Sequence, residues 1–250
     1  MENIEGFIFD YGGTIDSRGV HWSWVIWDGY RHAGAGVGLE QFREAYVYAE
    51  RELARVRHIM PGDNFHDLLV KKMAIEFDYI EQQGWLEGCA AMSRQVADYC
   101  YERARDCVDE ARPVLEYLHG RYPMMLVSNF YGNIDSVLRD FDLRRYFKGI
   151  IESSVVGVRK PNPTLFKLGV DALELPASRV LVVGDSLKKT SCLPSRWAAP
   201  RVGSRLAAGP MPRIAPPTPA LSLRLPTSNA SFRALCRFLI QPRWQDENDA

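Results

Sequence analysis

The chain lacks any run of the ~18 consecutive apolar residues that a membrane-spanning helix needs. Its opening, MENIEGFIFD, has no basic segment followed by a long apolar one, so the expectation is a soluble, cytoplasmic protein. Net charge is missing as well: 31 basic residues balance 31 acidic ones, which argues against a nucleic-acid or membrane-surface partner. The five cysteines, Cys89, Cys100, Cys107, Cys192 and Cys236, contain no CxxC pair, which favours reduced thiols over a disulfide or zinc framework. The histidines His21, His32, His58, His66 and His119 have no metal-like spacing and read as ordinary core or surface residues. Internal repeats are absent, and no pattern specifies an oligomeric state. With 250 residues, 46% of them hydrophobic, the chain can bury the core of one large domain or of a domain carrying an insertion.

Against that background one stretch stands out, Gly6 to Asp16, GFIFDYGGTID. Phe7, Ile8 and Phe9 follow one another without polar alternation, as in a strand buried on both faces of a parallel sheet. Asp10 then falls at a carboxyl end, where open α/β sheets place their ligands. Gly12 and Gly13 allow a sharp turn and a close backbone approach, and Thr14 adds a hydroxyl and an amide donor. The result is a carboxylate at the rim of a nest of donors, suited to attacking or binding a phosphate.

Beyond Asp16 the pattern turns helical as far as about Cys107. Phe42, Ala45, Tyr46, Ala49, Leu53 and Val56 make one apolar stripe over 39–57, Asn64–Glu81 repeats it, and Met92–Arg105 supplies a third helix. This block of roughly 90 residues interrupts an α/β domain just after its first strand, in the place of a cap over the sheet's carboxyl edge. Trp22, Trp24, Trp27 and Tyr30, with His21, either line a substrate pocket or pack the block's own core, and packing is the preferred reading. Lys71 and Lys72 read by default as a solvated helix face.

The α/β pattern resumes with an amphipathic helix over 109–119 and a buried strand, Met124–Val127, ending in Ser128 and Asn129. A helix at 134–141, a strand at 150–156, a helix at 164–173 and a strand at 180–183 follow. Lys160 lies between Gly157 and two prolines, which favours a positioned cation. Asp185 follows Gly184 at the last strand end, and two strand-end acids suit Mg²⁺ with oxygen ligands.

In this order Asp10, Ser128, Lys160 and Asp185 resemble the four motifs of the haloacid dehalogenase-like (HAD) hydrolase superfamily, over about residues 4–189. The resemblance implies a Rossmann-like α/β core of parallel strands with helices on both faces, formed by 1–17 and 109–250, and an α-helical C1 cap over 18–108. It implies Asp10 as nucleophile, Ser128 and Lys160 as catalytic partners, and Gly13, Thr14 and Asn129 as substrate-binding residues. Mg²⁺ would be held by Asp10, the carbonyl of Gly12 and Asp185, and the substrate would be a small phosphorylated metabolite cleaved through an aspartyl-phosphate. The alternatives are a haloacid dehalogenase or phosphonatase, or a catalytically impaired relative that binds such ligands.

Two departures qualify the resemblance. Family phosphatases carry a second aspartate two residues after the nucleophile, as acid and base; here the position is Gly12, and Asp16 is a poor substitute. The family also places a further acid near Thr190, yet no Asp or Glu occurs from Ser186 to Gln245, while eight of the 15 prolines fall between Pro194 and Pro226. A reading frame slipped after Lys189 would account for this: restoring one base, with suitable synonymous codons, turns KTSCLPSRWAAPRVGSR into KDILPAKPVGCPTGWLK. On that reading residues 190–230 have no evolved fold, and a terminal helix resumes at Phe232–Ile240.

Overall fold

The computed structural model describes residues 4–185 together with the backbone of 201–203. Five strands, β1 (Gly6–Phe9), β2 (Met124–Ser128), β3 (Gly149–Glu152), β4 (Val180–Gly184) and β5 (Arg201–Gly203), form one sheet in the order β3-β2-β1-β4-β5. Every pairing is parallel, and Ile8 on the central β1 lies opposite both Met125 and Val182.

β1, β4 and all of β2 but its terminal Ser128 are apolar and buried because both faces are covered. With a side-chain period of two, Phe7, Phe9, Met124, Leu126, Leu181 and Val183 face the end of α4 (Ala90–His119) and α5 (Ile134–Asp140). Ile8, Met125, Val127, Val180 and Val182 face α7 (Thr164–Leu173). The expected Rossmann-like architecture is present.

Between β1 and β2 the chain forms α1 (Trp22–His32), α2 (Leu39–Arg55), α3 (Phe65–Gln82) and α4. The sequence pattern predicts two helices for the last of these, over 92–105 and 109–119. Instead α4 is one helix of 30 residues with Pro113 inside it. Its buried stripe, Val96, Cys100, Ala104, Val108, Ala111, Leu115 and Leu118, continues at helical spacing across the proposed boundary, so one rod serves both the helical block and the sheet. Among the described residues no helix is long and apolar enough to cross a membrane.

The expected strand at 150–156 is shorter. β3 stops at Glu152 and α6 (Ser153–Val156) follows, closed by Gly157 at φ 72°. Ser153 is buried and its hydroxyl accepts the Phe130 N–H at 3.2 Å, while Val155 is 72% exposed; an extended run would disturb that anchor. β5 is a strand within the segment where no regular structure was expected. The open edge of β4 presents unpaired backbone groups that can template a strand with little regard to side chains. The rest of 190–230, the proposed frame slip and the helix at Phe232–Ile240 lie outside the described residues.

Candidate active site

The chain winds from β1 to β2 and β3 on one side and then crosses to β4 and β5 on the other. The reversal lies between β1 and β4, which is where such sheets open a crevice at their carboxyl ends. Asp10 follows β1 and Asp185 follows β4 at that point, and Asp10 N–H donates to Val183 O at 2.9 Å.

Asp10 is 6% exposed. Its Oδ1 accepts the Tyr11 N–H at 2.9 Å and the Ser128 hydroxyl at 3.0 Å, and Oδ2 pairs with the ammonium of Lys160. Lys160 is itself buried and donates also to Val127 O at 3.2 Å. Asn129 fixes this lysine from the backbone: Nδ2 donates to Lys160 O at 3.1 Å and Oδ1 accepts Lys160 N–H at 2.9 Å. A buried carboxylate paired with a cation and holding two further hydrogen bonds satisfies the condition for keeping an ion in the interior.

The other residues singled out in the sequence are placed as follows. Thr14 is buried, and its hydroxyl accepts the Asp185 N–H at 3.0 Å, so it holds Asp185. Gly13 has φ 84°, and a Cβ there would come within 2.7 Å of Asp185 Oδ2; its N–H donates to Asp16 Oδ1 at 2.8 Å. Thr14, Gly13 and Asn129, expected to bind substrate, engage the polypeptide in this arrangement, and Gly13 and Asn129 also line the cavity described below. Ser128 points at Asp10 in this arrangement.

Metal fit rests on the same contacts. Among the described residues no group of three His, Cys, Asp or Glu side chains gathers in a metal cluster. The bare α-carbon of Gly13 nevertheless leaves room for the Asp185 carboxylate against the turn that follows Asp10. Two carboxylates and the Gly12 carbonyl are an all-oxygen set of the kind Mg²⁺ accepts, with water and substrate oxygens completing it; those are the residues that could hold it.

Above this rim lies a cavity of about 460 Å³ between the helical block and the sheet. Gly12, Gly13, Asn129 and Asp185 line one part; Trp22, Phe65, Phe130 and Leu68 supply apolar wall, and Tyr46, Glu50, Lys72 and Tyr131 a charged one. Trp27 packs on Tyr30 and Phe42, with ring centres 6.5 and 5.1 Å apart, so the aromatic cluster divides between packing and pocket. Lys72 corrects the sequence reading outright: it is buried and faces the cavity, not solvent. Helical spacing alone could not distinguish it from Lys71, which pairs with Asp63.

Asp16 is the residue that sequence reasoning undervalued. It is 1% exposed, lines the cavity, and accepts from Gly13 N–H and from the Trp22 indole at 2.9 Å. Burial pushes its carboxyl up to about 8 against those two hydrogen bonds, and the charge of Asp10 adds to the rise. Among the described residues, a Cβ placed on Gly12 would meet nothing nearer than Asp16 Oδ2, at 4.0 Å.

A family model of haloacid dehalogenase-like hydrolases matches residues 4–189. Haloacid dehalogenase-like hydrolase domain-containing protein 3 of Danio rerio is 36% identical over 64 residues, which span 26% of this chain and 26% of that protein. Among solved structures, a dehalogenase with an intermediate complex superposes at a TM-score of 0.53 and 13% identity, covering 85% of this chain and 89% of its own. The L-2-haloacid dehalogenase of Xanthobacter autotrophicus gives 0.50 at 16% identity, over 82% and 79% of the two chains. At such identities the structural likeness is one of fold.

Proposed function

The chain belongs to the haloacid dehalogenase-like hydrolase family, and we propose that within it the protein is a Mg²⁺-dependent phosphatase of a small phosphorylated metabolite. The observation that carries this reading is Asp10, a buried carboxyl group at the end of the central strand that pairs with Lys160 and accepts the Ser128 hydroxyl, with Asp185 at the end of the neighbouring strand. Asp10 attacks phosphorus, the P–O bond to the leaving group breaks, and water then cleaves the aspartyl-phosphate to regenerate Asp10. Lys160 balances the negative charge gathered around the phosphoryl oxygens. Ser128, released from Asp10 when the phosphoryl group arrives, donates to one of those oxygens. Asp10, the Gly12 carbonyl and Asp185 would hold Mg²⁺, which supplies orientation and offsets the repulsion between carboxylate and phosphate. The helical block acts as the cap, and Asp16 is the carboxyl nearest to the side-chain position left open at Gly12.

A second reading, carbon–halogen cleavage by Asp10, is favoured by Gly12, because attack that expels a halide needs no proton for its leaving group. Phosphate release from alkyl and aryl phosphates with Mg²⁺, and halide release from 2-haloacids, distinguish the two. The phosphatase reading expects metal-dependent phosphate release abolished by Asp10→Asn. Halide release without phosphate release from any ester would overturn it.

A further inference from the structure

The helical block carries, in the wall of the cavity, an ion pair for which the chemistry at Asp10 has no use. Lys72 of α3 pairs with Glu50 Oε1 of α2, and its ammonium lies 4.4 Å from the centre of the Tyr46 ring. Tyr131, from the loop after β2, donates its hydroxyl to the same Glu50 oxygen at 3.0 Å. All four residues line the cavity that Gly12, Gly13 and Asp185 also line. Burial opposes both charges and is the largest single influence on each, but the neighbouring groups together outweigh it: Glu50 is held below the usual carboxylate range, chiefly by Lys72 and Tyr131, and Lys72 well above the usual ammonium range, chiefly by Glu50.

A buried ion pair is weak as a stabilising device, since apolar residues of similar volume often do as well or better. Its position against the cavity gives it another use. Among the described residues Lys72 donates one hydrogen bond, to Glu50, and Glu50 Oε2 accepts none, whereas an ammonium has three donors and each carboxylate oxygen two acceptor sites. The pair therefore offers a ligand a cationic donor and an anionic acceptor side by side; Glu76, close enough to interact with both, is fully buried, accepts the Tyr30 hydroxyl and does not line the cavity. A carboxylate or second phosphate would be drawn by Lys72 but repelled by Glu50, and an amine would meet the reverse conflict. A hydroxyl meets neither: it accepts from Lys72 and donates to Glu50, both charge-assisted. Trp22, Phe65 and Phe130 in the wall suit the carbon skeleton of such a molecule.

We infer that Lys72 and Glu50 form the specificity subsite for the leaving group and select the phosphate monoester of an uncharged polyol, one hydroxyl bridging the pair. The inference rests on the phosphatase reading of Asp10, and its test separates the two. With the full chain and Mg²⁺, kcat/KM is measured for glucitol phosphate, hexyl phosphate, phosphoglycerate, phosphoethanolamine and p-nitrophenyl phosphate. The polyol ester is expected to exceed hexyl phosphate and both charged esters by about 10- to 100-fold, the worth of hydrogen bonds to charged groups. Glu50→Gln removes the carboxylate paired with Lys72 and is expected to move the phosphoglycerate-to-glucitol-phosphate ratio up by about 10-fold; Lys72→Met moves the phosphoethanolamine ratio the same way. A purely structural pair would lower all substrates together. Glu50→Gln keeps an acceptor for Tyr131 and remains informative should Lys72→Met fail to fold. If p-nitrophenyl phosphate is not hydrolysed by the unsubstituted chain, the phosphatase reading fails. If it is hydrolysed but the polyol preference is absent, or the ratios stay fixed in Glu50→Gln, the subsite inference fails alone.

Discussion

Installing an acid at position 12 tests the phosphatase reading where the chain departs most from it. Gly12 has a backbone outside the left-handed region, and among the described residues a Cβ there meets nothing nearer than Asp16 Oδ2, at 4.0 Å, so the backbone accepts a side chain in Gly12→Asp. The new carboxyl would lie beside Asp16 and near Asp10, and neighbouring carboxylates raise one another's pKa, which keeps a proton available at neutral pH. A positioned general acid contributes about 10²–10⁴-fold, but a misplacement of about 1 Å costs about 10². Since nothing in the loop is built around a side chain at 12, the expected gain is about 10- to 100-fold in kcat on alkyl phosphates. On p-nitrophenyl phosphate, whose leaving group departs without a proton, the gain should be slight. Steady-state phosphate release at pH 7 from paired alkyl and aryl esters measures both. Equal gains on the two esters, or no gain on the alkyl ester in a folded variant, would refute the reasoning.

Gly13→Ala forces a Cβ to within 2.7 Å of Asp185 Oδ2 at a φ of 84°; loss of roughly 1–3 kcal/mol in denaturant unfolding is expected, together with weaker Mg²⁺ binding by calorimetry. Thr14→Val removes the acceptor of the Asp185 N–H and should raise the apparent Mg²⁺ Kd by about 10- to 100-fold with little change in fold by circular dichroism. Glu76 is fully buried on α3, and burial raises its carboxyl to about 7 against the pull of Lys72 and of the Tyr30 hydroxyl. A folded pKa above the ordinary 4.5 leaves stability intact below that value and removes it as pH climbs through 7. The loss is about 3 kcal/mol, and Glu76→Gln, which keeps an acceptor for Tyr30, should flatten the difference in unfolding free energy between pH 5 and pH 8.5; an unchanged slope would exclude Glu76 as its source.

Much of this was legible in the sequence because the relevant signals are local. An unbroken apolar strand followed by an acid places Asp10 and Asp185 without knowledge of the rest of the chain, and a lysine among prolines places Lys160. What escaped depends on which groups meet across long separations. That Thr14 holds Asp185, that Asn129 clamps Lys160, and that Lys72 meets Glu50 and Tyr131 are statements about pairs from different elements, on which periodicity says nothing. The strand misread at 150–156 fails for a related reason: its apolar run is compatible with a strand or a helical turn, and the deciding contact, Ser153 to the Phe130 N–H, comes from 23 residues away.

These long-range pairs also explain why the site divides its labour as it does. Around Asp10 the available polar groups are already taken up by one another: Ser128 and Lys160 by Asp10, Asn129 by Lys160, Thr14 by Asp185, Gly13 N–H by Asp16. Such closure fixes Asp10 and its neighbours in place before any ligand arrives, which on the proposed reading is where electrostatic catalysis gains most, but it leaves few donors to distinguish one leaving group from another. Discrimination must then come from groups that the core does not engage. The part of the cavity wall from the helical block meets that condition, because Lys72 and Glu50 retain a donor and an acceptor after pairing. Among the described residues, the hydrogen bond that joins that pair to the segment leaving the sheet is Tyr131's, two residues beyond Asn129. A change at Tyr131 should therefore disturb selectivity more than the rate on substrates that make no contact with the pair, and Tyr131→Phe, which removes the hydroxyl alone, isolates that link.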